Sequence, residues 1–105
     1  MRSRPMPESI AVQFGENLRR ARKRVGMSQE ELAVCASIHR TEVGLLERGE
    51  RTPRIDTAVK VAGALGAPID ELIEGIDWKP GSVERGGFNI SPTARQLPGD
   101  EEPEP

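Results

Sequence analysis

The chain has little of several residue types, and each shortage excludes a class of protein. Tyrosine is absent, and the only aromatic residues are two phenylalanines and one tryptophan, so a core has to be built from aliphatic side chains. The single cysteine, Cys35, excludes an internal disulfide and argues against a cysteine-based metal site. We expect Cys35 to be a buried or half-buried thiol. The single histidine, His39, leaves a histidine metal site or a catalytic triad without the other residues it needs.

Catalytic motifs and membrane-spanning segments are also missing. Gly86 and Gly87 are not followed by the Lys-Ser/Thr pair of a phosphate-binding loop, and no polar residues are spaced as a catalytic set. No segment approaches the roughly 20 apolar residues of a membrane span, and the N-terminus lacks an apolar signal region. These absences predict a cytoplasmic protein that is not an enzyme, has no membrane partner and binds no metal or cofactor.

The charge of the chain is divided unevenly along its length. The net charge is −2, but residues 1–60 hold 12 Lys and Arg against 8 Asp and Glu, a net +4, whereas residues 61–105 hold 3 against 9, a net −6. Because the local field governs the approach of phosphate, the basic first part suits a nucleic-acid surface despite the negative total. With 105 residues, one domain with a small core is expected.

The stretch from Ser28 to Gly49 predicts two short amphipathic helices joined by a tight turn. The Ser28 hydroxyl can cap a helix that begins at Gln29, and Glu31 is placed to close a capping box. A second helix follows at about residues 39–48. The side chains that the two helices turn toward each other, at helical spacing, are Leu32, Ala33, Val43, Leu46 and the stem of Glu47.

The opposite face of the second helix is left without a contact inside so small a domain. A second helix held across a first by a short turn, with its polar face free, is the arrangement in which a helix enters the DNA major groove. The residues of that face are His39, Arg40, Thr41, Glu42, Gly44 and Leu45.

Three linked motifs support this interpretation. They are LRRARKRVGMSQEELA (18–33), LERGERTPRIDT (46–57) and KVAGALGAPIDELI (60–73). With them the chain resembles the Cro/cI-type, XRE-like helix-turn-helix family over about residues 10–76. The resemblance implies an all-α, five-helix, lambda-repressor-like DNA-binding domain in a sequence-specific transcriptional regulator. Ser37 departs from the family by standing at the usual turn glycine, where a left-handed backbone costs about 1 kcal/mol.

The resemblance also implies roles for particular residues. Arg40 and Thr41 match the family's base-reading positions, where arginine can bind guanine O6 and N7 and the threonine methyl can meet a thymine methyl. Gln29 matches a residue that contacts phosphate and braces the second helix of the motif, at about residues 39–48, which is called the reading helix below. Arg22 is expected to form a structural ion pair with Glu47.

The other site residues carry one or two interpretations each. His39 either contacts DNA or is an exposed cap, and Glu42 either accepts from a cytosine amine or opposes Arg40. Leu45 is expected to contact a thymine methyl, while Gly44, in mid-helix, is expected to let the backbone approach DNA closely. The candidate phosphate contacts, with a solvated loop as the alternative, are Arg51 and Arg54.

Three further helices complete the predicted domain. The apolar residues expected to face inward on the first, at residues 8–25, are Ile10, Phe14, Leu18, Ala21 and Val25, with Phe14 the largest core side chain. On the fourth, Asp56–Leu65, the expected inward set is Ile55, Val59, Ala62 and Leu65. On a short fifth, starting between Pro68 and Asp70, it is Leu72, Ile73 and Ile76.

The predicted organisation has four parts: an arm at 1–7, the helix-turn-helix domain at 8–76, a mostly irregular extension at 77–99 and a disordered acidic end at 100–105. The arm carries Arg2 and Arg4, which either reach DNA or are solvated. In the extension, Trp78 and Phe88 either pack back onto the helices or add to a partner chain, and a strand near 83–90 could pair with its symmetry mate.

Two functions of different class follow. The first is a regulator that binds double-stranded DNA as a homodimer, through the fifth helix and residues 78–90, on half-sites about 34 Å apart. The alternative is a protein-interaction module, such as an antitoxin, which uses the extension to bind a protein partner and in which DNA binding is secondary.

Overall fold

The computed structural model describes residues 9–81 and 85–91 of the chain. The predicted arm at 1–7 and acidic end at 100–105 lie outside these residues. The five predicted helices are confirmed, and two strands are added: α1 (Ile10–Val25), α2 (Gln29–Ala36), α3 (Arg40–Glu47), α4 (Ile55–Leu65), α5 (Ile69–Leu72), β1 (Ile76–Lys79) and β2 (Gly87–Ile90). Within the described ranges, no helix is both long enough and apolar enough to cross a membrane.

Local capping interactions set the helix boundaries. The Ser9 hydroxyl accepts from the Val12 N–H at 3.1 Å and begins α1. The predicted capping box of α2 is present, because the Ser28 hydroxyl accepts from the Glu31 N–H and the Glu31 carboxylate accepts from the Ser28 N–H. Gly26 ends α1 with a left-handed backbone, as predicted. Ser37, at the usual glycine position of the turn, also has a positive φ of 58°.

The core lies between α1 and the helices that pack around it. Phe14 is the largest fully buried side chain, as predicted. Met27 and Ile38 pack against the edge of this core from the turns before and after α2. The buried apolar residues, from all five helices, are Phe14, Leu18, Ala21, Leu32, Ala33, Ala36, Val43, Leu46, Ala58, Val61, Ala62, Leu65 and Leu72.

Of the four residues predicted to face inward on α4, Ala62 and Leu65 are buried as predicted, whereas Ile55 and Val59 are not. Ile55 is 78% exposed and Val59 is 58% exposed, whereas Ala58 and Val61 are buried. The buried face includes Ala58 and Ala62, and these small side chains allow α2 to pack closely on α4. Close approach of the two backbones, rather than the size of the apolar side chain, selects the buried stripe.

Three other residues expected to be at least partly buried are exposed. Val25 ends α1, where no helix covers it, and Ile73 follows directly after the four residues of α5; both are exposed. Cys35 is exposed as well, because α2 directs Ala33 and Ala36 inward and leaves the intervening positions facing solvent.

Part of the predicted extension forms, together with Ile76, an antiparallel hairpin. β1 pairs with β2 in a register that sets Ile76 opposite Ile90 and Trp78 opposite Phe88. The strand predicted near residues 83–90 is present at Gly87–Ile90, where it pairs with β1 of its own chain. The rings of Trp78 and Phe88 meet edge to face, with centroids 5.1 Å apart.

A buried asparagine joins the base of this hairpin to α1. The Asn17 side-chain amide donates to the carbonyl oxygens of Leu72 and Glu74, both at 2.9 Å. Gln13 in turn donates to the Asn17 side-chain oxygen at 3.0 Å. The segment from α5 into β1 is thereby fixed against the middle of α1.

Candidate nucleic-acid interface

The reading helix α3 is buried on one side and open on the other. Val43 and Leu46 are fully buried, whereas His39, Arg40 and Thr41 at its N-terminal end are exposed. His39 is the N-cap but makes no side-chain capping bond, so its ring is not needed to begin the helix. The first turn of α3 thus presents three adjacent polar residues to solvent.

A buried ion pair fixes the other end of α3. The Arg22 guanidinium donates from Nε to Glu47 Oε2 at 2.6 Å and from Nη2 to Glu47 Oε1 at 3.0 Å. The two side chains are 10% and 3% exposed. Arg22 also donates to the Met27 carbonyl at 2.8 Å, and Gln29 donates to Glu47 Oε1 at 3.0 Å. The structure therefore places Gln29 as a brace of the reading helix, and joins α1, α2 and α3 at one carboxylate.

Below this ion pair, α1 and α3 approach each other backbone to backbone. A Cβ atom added at Gly15 would lie 2.3 Å from the Leu46 carbonyl oxygen and 2.9 Å from that of Glu47. Both distances are shorter than a non-bonded contact allows. Only glycine fits at this crossing, and it brings the reading helix close against α1.

The reading face differs from expectation at its centre. Gly44 is buried, and a Cβ atom built there would lie 3.0 Å from Nη1 of Arg48. Arg48 therefore covers the glycine that was expected to expose bare backbone, and Leu45 beside it is only partly exposed. Arg48 was not predicted as a site residue, although its spacing of four from Gly44 could have indicated that it folds back over that position.

Three arginines of this surface are paired with neighbouring carboxylates. Arg51 Nη1 donates to Glu42 Oε1 at 2.6 Å, so Glu42 is paired with the loop after α3 and not with Arg40. The other two pairs are Arg48 with Glu50 at 3.0 Å and Arg54 with Asp56 at 3.1 Å. The hydrogen bond from Arg54 lowers the pKa of the exposed Asp56 carboxyl below its usual value. Arg40 is the arginine of this group without an ion pair to any residue in 9–81 or 85–91.

The arrangement is suited to binding an extended polyanion. Arg40, Arg48, Arg51 and Arg54 lie along α3 and the segment that follows it, while Gln29 lies at the start of α2. Among the described residues, no group of three or more His, Cys, Asp or Glu side chains is placed to hold a metal ion.

Comparison with known proteins gives consistent matches over this region. The sequence model of a family described as helix-turn-helix matches residues 18–72. The control protein C.BamHI of Bacillus amyloliquefaciens is 36% identical over 70 residues, which are 66% of this chain and 86% of that protein. The control protein C.SmaI of Serratia marcescens is 38% identical over 60 residues, 57% of this chain and 71% of that protein.

A solved structure with the same fold is that of the restriction-modification controller protein C.AhdI from Aeromonas hydrophila. It superposes with a TM-score of 0.58 at 40% sequence identity, and the match covers 59% of this chain and 94% of the controller protein.

Proposed function

This chain belongs to the XRE-like family of DNA-binding helix-turn-helix transcriptional regulators, and we propose that it is a cytoplasmic, non-catalytic regulator that binds a specific two-fold DNA site as a homodimer. The observation that carries the proposal is the state of α3. Its C-terminal end is locked to α1 and α2 through Glu47, while its first turn is exposed and carries Arg40 without an ion pair to a described residue. A rigid helix with a free polar end can enter the major groove without reordering.

Within this proposal the residues divide between reading bases and holding phosphates. Arg40 takes guanine through two N–H donors, and Thr41 and Leu45 meet thymine methyl groups. Phosphate contacts come from Gln29, His39, Arg51 and Arg54, which fix the position of α3 without reading sequence. These assignments rest on the position of each side chain around α3.

The first test is selective binding by wild type and by Arg40→Ala. We expect wild type to select one fragment, such as its own upstream region, and Arg40→Ala to weaken binding to that fragment by about 10- to 100-fold, because one bidentate base contact is lost. The affinity for unrelated DNA should fall only slightly, because Arg40→Ala removes one positive charge near the phosphates. The measurement is fluorescence anisotropy across a salt series, with Lys60→Ala, an exposed cation on α4, as the matched control.

Two outcomes would contradict the DNA proposal. One is the absence of any selectively bound fragment for wild type. The other is an equal loss of affinity for all fragments with Arg40→Ala and with Lys60→Ala, since that result would assign both residues to general electrostatics.

We propose the hairpin end of the domain as the surface that a second copy covers. Ile73 is exposed where α5 ends, and Trp78 and Phe88 are each 57% exposed on one face of the hairpin. The alternation of side chains along β1 sets Asp77 and Lys79 on its other face. The face with Trp78 and Phe88 is therefore the apolar one, and a two-fold axis would bring the same face of a second copy against it.

Sedimentation velocity tests this dimer. Replacing both Trp78 and Phe88 by serine is expected to raise the dimer dissociation constant by at least about 30-fold, the factor for the loss of a single buried aromatic anchor worth about 2 kcal/mol. The matched control is Ile55→Ser, another exposed apolar residue, on α4. If only Ile55→Ser dissociates the dimer, the interface lies on α4. The aromatic pair then becomes the candidate surface for a protein partner.

A further inference from the structure

The ion pair between Glu42 and Arg51 is unlike the other two exposed arginine pairs near the reading helix. Arg48–Glu50 and Arg54–Asp56 each join residues two apart in sequence, and all four side chains are at least half exposed. Glu42 and Arg51 are nine residues apart, and the Glu42 side chain is only 21% exposed. This pair connects the loop after α3 to the first turn of α3, where Arg40 and Thr41 lie.

A carboxylate at this position opposes DNA binding of any sequence. It repels phosphate, and it neutralises an arginine that would otherwise add a phosphate contact. An exposed pair opens easily when a phosphate approaches, because it gains little from the contact. Glu42 is more shielded from water, so its attraction for Arg51 is stronger and the guanidinium is held in one place.

The ion pair still leaves Arg51 able to bind DNA. A guanidinium carries five N–H donors, and one nitrogen, Nη1, donates to Glu42. The Arg51 side chain is 54% exposed, so other donors face solvent. Held in this way, Arg51 can meet one phosphate whose position matches, but it cannot swing to follow the phosphates of unrelated DNA.

We propose that Glu42 is a specificity-determining residue that acts through Arg51: it restrains Arg51 so that this arginine contributes to binding at the cognate site and contributes little elsewhere. The inference rests on the proposed function, because it assumes a cognate site. It differs from a direct reading of cytosine by Glu42, since it assigns the carboxylate to a protein partner and not to a base.

Glu42→Gln tests the proposal by removing the charge while keeping the shape. We expect binding to unrelated duplex DNA to strengthen by about 10-fold at low salt, and the slope of log K against log salt to steepen by about 0.9, the value for one more neutralised phosphate. Binding to the selected fragment should strengthen less, so that the ratio of the two affinities falls. The measurement is fluorescence anisotropy with full-length protein between about 50 and 200 mM salt.

A double-mutant cycle with Arg51→Gln separates restraint from simple charge. In the wild-type background, Arg51→Gln should weaken binding to the selected fragment and leave the salt slope on unrelated DNA nearly unchanged. In the Glu42→Gln background, Arg51→Gln should return the salt slope on unrelated DNA to its wild-type value. The matched control, Asp56→Asn, removes a carboxylate from an exposed local pair and should strengthen both affinities by the same factor.

Each other outcome has a definite meaning. If wild type selects no fragment, the proposed function fails. If wild type is selective and Glu42→Gln keeps both its affinity ratio and its salt slope, or behaves as Asp56→Asn does, the restraint is disproved. If Glu42→Gln changes the preferred base at one position of the site, Glu42 reads a base directly and the restraint is again disproved. If Glu42→Gln does not fold, Arg51→Gln alone tests the restraint. The restraint then requires weaker binding to the selected fragment and a nearly unchanged salt slope on unrelated DNA, and any other result contradicts it.

Discussion

Replacing Glu47 by alanine is expected to lower the free energy of unfolding by about 3 to 5 kcal/mol, because it leaves the buried Arg22 guanidinium without its counter-charge. Three hydrogen bonds to the carboxylate are lost together, two from Arg22 and one from Gln29. A domain of this size has only about 5 to 15 kcal/mol of stability, so the loss is a large fraction of the total. Thermal unfolding followed by circular dichroism measures the change, with about 4 to 8 °C for each kcal/mol.

Asp56→Ala is the matched control for Glu47→Ala. It also removes one carboxylate from one arginine, but Arg54 and Asp56 are 82% and 53% exposed. Its expected effect is much smaller than that of Glu47→Ala, because exposed ion pairs contribute little to stability. Equal losses in the two variants would show that burial of the Arg22–Glu47 pair has no energetic consequence, contrary to this prediction.

Gly15→Ala is expected to destabilise the domain by about 3 kcal/mol, although alanine favours a helix over glycine by about 1 kcal/mol. The added methyl group would meet the Leu46 carbonyl oxygen at 2.3 Å, and a backbone oxygen cannot turn aside as a flexible side chain can. The two helices would have to separate, which also shifts α3 and stretches the bonds between Arg22 and Glu47. Chemical denaturation with urea measures the loss.

Gly63→Ala, the same substitution in α4, is expected to have the opposite effect on the free energy of unfolding. A Cβ atom at Gly63, inside α4, would have no neighbour within 4 Å. The variant should therefore gain about 0.5 to 1 kcal/mol from helix propensity alone. A gain of stability at Gly15 as well would mean that α1 and α3 do not pack as closely as described.

The helix-turn-helix portion could be predicted well because its signals are local. The capping box of Ser28 and Glu31 and the end of α1 at Gly26 involve residues at most a few positions apart, so the sequence displays them directly. The pairing of Arg22 with Glu47 spans 25 residues and was expected only through resemblance to a family. Helical spacing sets Arg22 four residues after Leu18 on the inward stripe of α1, but the sequence alone does not show its partner.

The buried face of α4 could not be predicted from apolar residues alone. Its sequence offers two stripes at helical spacing, one through Ile55 and Val59 and one through Ala58 and Val61. Side-chain hydrophobicity favours the first, but the small residues of the second allow α2 to approach. This choice depends on which helix crosses α4, and the sequence of α4 carries no information about its neighbour.

A strand was predicted near 83–90, but its partner β1 and the arginine pairs were not, for related reasons. Strands of four residues separated by a loop that begins with Pro80 and Gly81 give too few alternations to be recognised, and the pairing of Trp78 with Phe88 is a tertiary feature. The partner of Glu42 depended on where the loop carries Arg51. Exposed charges have several possible partners, and the fold of the loop selects among them.

The hydrogen bonds of Asn17 have a consequence for the geometry of the DNA site. Asn17, which fixes the hairpin end, lies only two positions after Gly15, which fixes the reading helix, and both are on the rigid helix α1. In the proposed dimer, the distance and rotation between the two reading helices are then set by the fold and not by a flexible linker. Each added base pair moves a half-site by about 3.4 Å and turns it by about 34° around the duplex. A dimer with this fixed geometry discriminates between DNA sites by the spacing of their half-sites as well as by their base sequence.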